Sequence, residues 1–294
     1  MKDYKIYKNV ISHDKIDKFL NSHNQFKRSR FSIFRAQGTT DFEKPILNKY
    51  NNQKNSIHNP HLLGFKFEFR KHLSDIIISN EVYECLCDFL DKDNFTHYQS
   101  MFFDVSTATK LHQDNWYLDT TPPKNLVGVW IALEDIKEGS GPFCVYTNSD
   151  KNKLSIDSYN FDNLEKDESF KEKFSKSKRY DFYANKGDIL IWNSYVIHGA
   201  VDPTSESLTR KSLTSHYYPR GFNVQAQPIK RFFSIYNHKN PRTTKHPNLF
   251  QAATINPILY NSMCFSLWML GGLKNLFSGD NKANSRLSQI RKIN

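Results

Sequence analysis

Polar and apolar residues nearly alternate over residues 4–11 (Tyr-Lys-Ile-Tyr-Lys-Asn-Val-Ile), the period of a strand. Ser12 follows as a helix N-cap, and Lys15 through Leu20 form a short amphipathic helix behind it. Residues 37–60 are polar and rich in Asn, Lys and Thr, and are expected as a long loop over a site. Leu62 to Leu90 carries apolar residues at helical spacing and predicts one or two helices.

From Thr96 the period changes. Short β-rich runs succeed one another: Tyr98–Val105, Asn125–Leu133, Phe143–Thr147, Tyr180–Tyr183, Asp188–Val196 and Ser212–Tyr218. Turn residues separate them, including Thr121-Pro122-Pro123, Glu138-Gly139-Ser140-Gly141-Pro142 and Lys186-Gly187-Asp188. Short strands broken by Gly and Pro predict an all-β barrel or sandwich with flanking helices. A Lys/Asp/Ser/Asn-rich insert at 148–178 interrupts the series as surface loop and short helix. After Gly221 the pattern is irregular and basic. The apolar stretch from Ile255 to Phe277 is interrupted by Asn, Ser, Gly and Lys. It falls short of the roughly 18 clean apolar residues of a spanning helix. It is expected to pack on the core, with an interfacial amphipathic helix as the sharper alternative.

Charge adds one asymmetry to this picture. Residues 1–204 hold 28 basic and 28 acidic side chains, whereas residues 205–294 set 13 basic ones against only Glu206 and Asp280. The whole excess of +11 lies in the last third, which suggests an anionic partner: a phosphorylated or carboxylated substrate, a membrane surface or nucleic acid. A solvated basic face is the plain reading of the same feature. No helix-turn-helix, zinc finger or aromatic single-strand platform accompanies it, so nucleic acid is not expected. The opening residues Met1-Lys2-Asp3-Tyr4-Lys5 are charged and no apolar run follows them. Cys85, Cys87, Cys144 and Cys264 form no Cys-x-x-Cys pair. Both features predict a cytoplasmic chain with reduced thiols.

Candidate chemistry starts at His112-Gln113-Asp114. A His-x-Asp pair arises just under once by chance in a chain with this many His and Asp residues, so its context must decide. On an extended segment residues i and i+2 share a side, which brings an imidazole and a carboxylate to one point. Gly187-Asp188 makes a turn, Ile189-Leu190-Ile191-Trp192 predicts a buried strand, and His198-Gly199 lies past its end, where an imidazole can reach the same point. Two His and one carboxylate on one face leave three cis positions on iron(II), enough for a chelating 2-oxo acid and dioxygen. The far carboxylate of 2-oxoglutarate then requires a fixed cation. Arg210, twelve residues beyond His198, has the planar fork for it, and Ser212 shares its face.

The order Gln99-Ser100-Met101-Phe102-Phe103, His112-Gln113-Asp114, Val129-Trp130-Ile131-Ala132-Leu133-Glu134-Asp135, Gly187-Asp188, His198-Gly199 and Arg210-x-Ser212 resembles the phytanoyl-CoA dioxygenase family. The resemblance covers roughly residues 5–220. It implies a double-stranded β-helix (jelly-roll, cupin-like) core over about 96–220, inside an oxygenase domain at 1–221. A basic extension at 222–294 is expected to pack on the same domain. The resemblance implies His112, Asp114 and His198 as iron(II) ligands and Arg210 as the 2-oxoglutarate anchor, with Ser212 and Trp130 beside it. Gln99, on one face with Met101 and Phe103, is a further candidate. Asn115, Trp116, Tyr117 and Asn193 are expected to line the substrate cavity by their nearness to the ligands. One departure is clear: similar chains carry Pro-Gly-Ser-His where this one reads Thr147-Asn148-Ser149-Asp150. Related halogenases replace the carboxylate with a small residue, so Asp114 points to hydroxylation by dioxygen with release of succinate. The substrate is a small molecule, anionic or linked to a lipid or carrier, and the chain a monomer or weak dimer. The alternatives are a binding protein on the same barrel without turnover and a modifying enzyme held at a membrane surface.

Overall fold

The computed structural model describes residues 3–225 except 30–31, 38–41, 64–65 and 149–166, and three further positions at 262, 266 and 269. Three helices lie in the first third of the chain. In α1 (His13–Arg28) the Ser12 hydroxyl accepts from Lys15 N, and Asp14 and Lys27/Arg28 oppose the helix dipole at its two ends. The helix runs past the predicted Leu20 because Ile16, Phe19, His23 and Phe26 continue one buried stripe. The Leu62–Leu90 region divides into α2 (Phe67–Ile77) and α3 (Asn80–Leu90). Ser79 caps α3 by accepting from Val82 N, and Asp91 ends it in the left-handed conformation.

The strands form a two-layer sandwich. The larger sheet takes β1 (Tyr4–Tyr7), β2 (Phe34–Ala36), β3 (Phe42–Glu43), β4 (Ile57–His58), β5 (Phe95–Phe103), β7 (Val127–Ala132), β10 (Ile189–Asn193) and β12 (Ser212–Pro219). Their order is β1-β10-β7-β12-β5-β4-β2-β3. The smaller sheet is β11 (His198–Ala200), β8 (Phe143–Tyr146) and β9 (Arg179–Phe182), in that order. A pair formed by β6 (Asp119–Thr121) and β13 (Asn223–Gln225) stands apart, and a short α4 (Glu168–Lys173) precedes β9. This is the expected β-rich fold with flanking helices.

Both faces of the larger sheet are covered, which explains the unbroken apolar runs. Val127, Val129 and Ile131 of β7, Ile189 and Ile191 of β10 and Leu213 of β12 pack outward on the three helices. The intervening Trp130, Ala132, Leu190 and Trp192 pack inward with Phe143, Val145 and Phe182 of the smaller sheet. Phe19 of α1, fully buried, touches Phe69 and Phe102 with ring centroids 5.1 and 5.3 Å away. A side chain of this size contributes about 1.5–3 kcal/mol by leaving water.

Three expectations change. The first strand stops at Tyr7 instead of Ile11, because Asn9 takes a left-handed φ of 50° and gives its N–H to the Asp188 carboxylate. The stretch 37–60 is not all loop: it holds β3, β4 and a Leu47–Gln53 bridge. Asp188–Val196 is two pieces, since β10 ends at Asn193 and the chain turns across to the smaller sheet. The predicted C-terminal extension lies outside the described residues beyond 225, apart from Ser262, Ser266 and Met269, which are helical and exposed. Among the described residues no helix is long and apolar enough to cross a membrane.

Candidate metal centre

The turn after β10 delivers the first ligand. Val196 N bonds back to Asn193 O, and His198 then opens β11 opposite Val145 of β8. His112 pairs with His198 in an isolated antiparallel bridge, with His112 N to His198 O at 2.9 Å and the return bond at 3.0 Å. The His-x-Asp segment is therefore not a regular strand. It is extended through Gln113 (φ −114°, ψ 134°), which keeps residues 112 and 114 on one side, and a 3-10 turn at Asp114–Trp116 follows at once.

The three ligand atoms lie within 4.8 Å of one another. Asp114 Oδ1 sits 3.7 Å from His112 Nε2 and 3.5 Å from His198 Nε2. Each imidazole is fixed from behind: His112 Nδ1 lies 2.8 Å from Lys110 O, and His198 Nδ1 lies 2.9 Å from Val196 O. A carbonyl only accepts, so each Nδ1 carries the proton and each Nε2 presents a lone pair. Metal-binding histidines are commonly held this way, with the nitrogen turned away from the ion donating to a carbonyl. Burial, with His198 beside it, pushes the His112 pKa down to about 4, so the ring is neutral at physiological pH. Burial alone would raise the Asp114 carboxyl, but the charges and hydrogen bonds of His198 and His216 outweigh it and hold it well below the usual carboxylate range. Two imidazoles with Nε2 turned inward and a carboxylate, mutually oriented and nearly dry, fit a divalent metal such as iron(II).

The other oxygen of Asp114 faces the larger sheet. Trp192 Nε1 donates to Oδ2 at 2.9 Å, and His216 Nε2 lies 3.2 Å from the same atom. Neither residue stood out in the sequence. Both occupy inward positions, Trp192 two residues beyond Leu190 and His216 four beyond Ser212, so alternation alone could have flagged them. The room for the Trp192 indole comes from Gly128, its partner across β7.

Arg210 is buried just before β12. Its Nη1 donates to Ser212 Oγ at 2.8 Å, and its guanidinium lies over Phe103 and Trp130, 5.2 and 5.9 Å from the ring centroids. No carboxylate among the described residues forms a salt bridge with it; the nearby Glu134 is held by Lys211 at 2.7 Å. Burial pushes the Arg210 pKa down to about 10. Arg210 Nε and Trp130 Nε1 are both buried without a hydrogen-bond partner. Two orphaned donors around an uncompensated cation make a site for a carboxylate.

The remaining predicted residues divide. Gln99 spans two histidines, Oε1 at 3.4 Å from His58 Nε2 and Nε2 at 3.3 Å from His216 Nδ1. Trp116 and Tyr117 both lie 6.5 Å from the His112 ring, and Asn115 is buried beside Asp114. Asn193 belongs to the turn instead: its Oδ1 accepts from Tyr195 N, and its position on β10 is on the outward face with Ile191.

A sequence model of phytanoyl-CoA dioxygenase matches residues 4–212, most of the chain. The chain belongs to the phytanoyl-CoA dioxygenase family. Solved structures share the family fold at low identity. A non-heme monooxygenase, ThoJ, is 13% identical with a TM-score of 0.57, covering 93% of this chain and 96% of its own. The epimerase SnoN, solved with Fe3+, alpha ketoglutarate (2-oxoglutarate) and nogalamycin RO, is 10% identical with a TM-score of 0.57, covering 84% of this chain and 88% of its own. EctD from S. alaskensis, solved with bound Fe, is 13% identical with a TM-score of 0.52, covering 74% of this chain and 73% of its own. No match was found among curated proteins. In this chain the His112, Asp114 and His198 triad sits where two sheets and the 112–114 segment converge.

Proposed function

We propose that the chain is an iron(II)- and 2-oxoglutarate-dependent dioxygenase that hydroxylates an unactivated C–H bond of a small-molecule or lipid- or carrier-linked substrate. One observation carries this reading: a complete His-Asp-His donor set in the same interior as a buried arginine with orphaned donors beside it. His112, Asp114 and His198 would hold the iron through Nε2, Oδ1 and Nε2. Arg210, Ser212 and Trp130 would take the distal carboxylate of 2-oxoglutarate. When bound, the iron supplies the activation of dioxygen, one oxygen atom entering succinate as CO2 leaves and the other entering the substrate as hydroxyl.

The chain's own contribution is position and dryness. The Nδ1 bonds to Lys110 O and Val196 O fix both imidazole planes before metal arrives. Trp130, Phe103 and Phe143 exclude water from the anchor side. Asn115, Trp116 and Tyr117 stand on the ligand side and are the residues proposed to orient the substrate carbon. Because Asp114 fills the position that a halide would need, hydroxylation is favoured over halogenation.

The test is iron-dependent succinate release from 2-oxoglutarate by the full chain, followed by a search for a substrate that gains one oxygen atom. Native protein should release succinate only with iron(II), and Asp114→Ala should not. No metal uptake together with no succinate would leave a non-catalytic binding protein on the same fold.

A further inference from the structure

Asp114 is held at both ends of its carboxylate, by two different parts of the fold. Oδ1 faces His112 and His198. Oδ2 faces Trp192 of β10 and His216 of β12, at 2.9 and 3.2 Å. Trp192 can only donate, so Oδ2 is an acceptor there. The His216 tautomer is set from behind: with Gln99 Nε2 donating to Nδ1 at 3.3 Å, the proton resides on Nε2, the atom facing Oδ2. His216 Nε2 is buried and meets Oδ2 as a close polar contact at ion-pair distance, while the hydrogen bond to Oδ2 comes from Trp192. Gln99 is itself fixed by His58 at 3.4 Å. A register shift in the β12–β5 ladder between His216 and Tyr217 adds Tyr98 to β5 and bends the strands beside this contact.

We infer that Trp192 and His216 are positioning residues that clamp Oδ2 of Asp114, so that the carboxylate offers the metal Oδ1 alone. The inference rests on the oxygenase reading above. A carboxylate with a free second oxygen can swing to chelate a cation through both. Three protein donors leave three positions on a six-coordinate metal, and a chelating carboxylate would take one of them. Chelation of 2-oxoglutarate needs two and dioxygen the last. The clamp therefore preserves the open positions, and it does so from side chains that touch neither the metal nor the co-substrate.

Cobalt(II) is the probe, because its visible absorption responds to the number of ligands it holds. Full-length native protein, Trp192→Phe, His216→Gln and the double variant Trp192→Phe/His216→Leu are each loaded with cobalt(II) without 2-oxoglutarate. 2-Oxoglutarate is then titrated onto the iron(II) forms without oxygen. The double variant should show a changed cobalt spectrum and bind 2-oxoglutarate about 10- to 100-fold more weakly, the size of loss in metal affinity or activity seen when a residue that orients a metal ligand is removed. His216→Gln, which keeps an N–H donor, should stay close to native in both. A folded double variant whose cobalt spectrum superimposes on native overturns the inference. If the double variant does not fold, Trp192→Phe alone must depart from the native spectrum, and identity overturns the inference equally. A native chain that takes up no cobalt removes the oxygenase reading itself, whereas superimposed spectra on a metal-binding native chain remove only the clamp.

Discussion

Replacing Gly128 with Ala tests whether the indole of Trp192 is held where the metal centre needs it. A methyl at residue 128 would lie 2.1 Å from Cζ2 of Trp192, 2.3 Å from Cε2 and 2.6 Å from Cη2. No side chain accommodates that, so the ring must move. Overpacking of this kind costs about 1–3 kcal/mol. Displacing the ring also breaks its 2.9 Å bond to the Asp114 carboxylate. A hydrogen bond to a charged group is worth roughly 1.5–3 kcal/mol. The apoprotein should therefore lose on the order of 3–5 kcal/mol, a large fraction of a typical domain's total. The sign is decisive, since Gly→Ala inside an unobstructed strand stabilises by about 0.5–1 kcal/mol. Urea unfolding in the presence of a chelator measures it, and the midpoint should fall with an unchanged slope. Adding Trp192→Phe removes the crowded part of the ring, so the double variant should lose less than the sum of the two single changes. A Gly128→Ala midpoint equal to or above native would refute the argument.

Other outcomes follow from the same geometry. Arg210→Leu should weaken 2-oxoglutarate binding by about 30-fold or more, the equivalent of ~2 kcal/mol for a buried partner lost, read by calorimetry on the metal-loaded protein. The same variant should keep or raise the melting temperature, because a buried cation without a carboxylate partner is a stability cost in the absence of ligand; a fall of several degrees would contradict that. Asp114→Ala should abolish iron(II) uptake in equilibrium dialysis and succinate release together, and retained activity would remove the proposed ligand set. Burial, opposed by Asp104, lowers the His23 pKa to about 4. A folded-state value below the unfolded 6.5 means that the unfolded chain binds the extra proton. Stability should therefore be full above about pH 6.5 and decline by up to roughly 3 kcal/mol as pH falls to about 4. His23→Gln should make that part of the urea midpoint less steep against pH, with His58 and His112 supplying the rest, and an unchanged slope would exclude His23 as a source.

The long periodic features were legible in the sequence for a plain reason. β7 and β10 are central strands buried on both faces, so their apolar runs are unmistakable. Strands of two or three residues, such as β3, β4, β6 and β11, carry too few positions for any period to show. The His112–Asp114–His198 set could be read because two ligands lie two residues apart and the third follows a strong strand signal. Trp192 and His216 escaped because alternation marks only their inward face: their role arises from which neighbour the register places opposite. Asn193 illustrates the converse. Nearness in sequence to a ligand placed it among the substrate candidates, yet the β pleat turns it to the outward face, where it closes a turn.

The Asp114 carboxylate touches the smaller sheet's ligand through one oxygen and the larger sheet through the other. Metal affinity and the docking of the two layers are therefore thermodynamically linked. By the factor that metal binding tightens that docking, docking tightens metal binding in return. Substitutions deep in the interface between the layers, such as at Phe143 or Leu190, should alter metal affinity although they lie outside the ligand set. Conversely, loading the metal should protect the layer interface against proteolysis and hydrogen exchange at sites far from His112. The iron of such an enzyme would then serve as a reporter of the whole sandwich as well as its reactive centre.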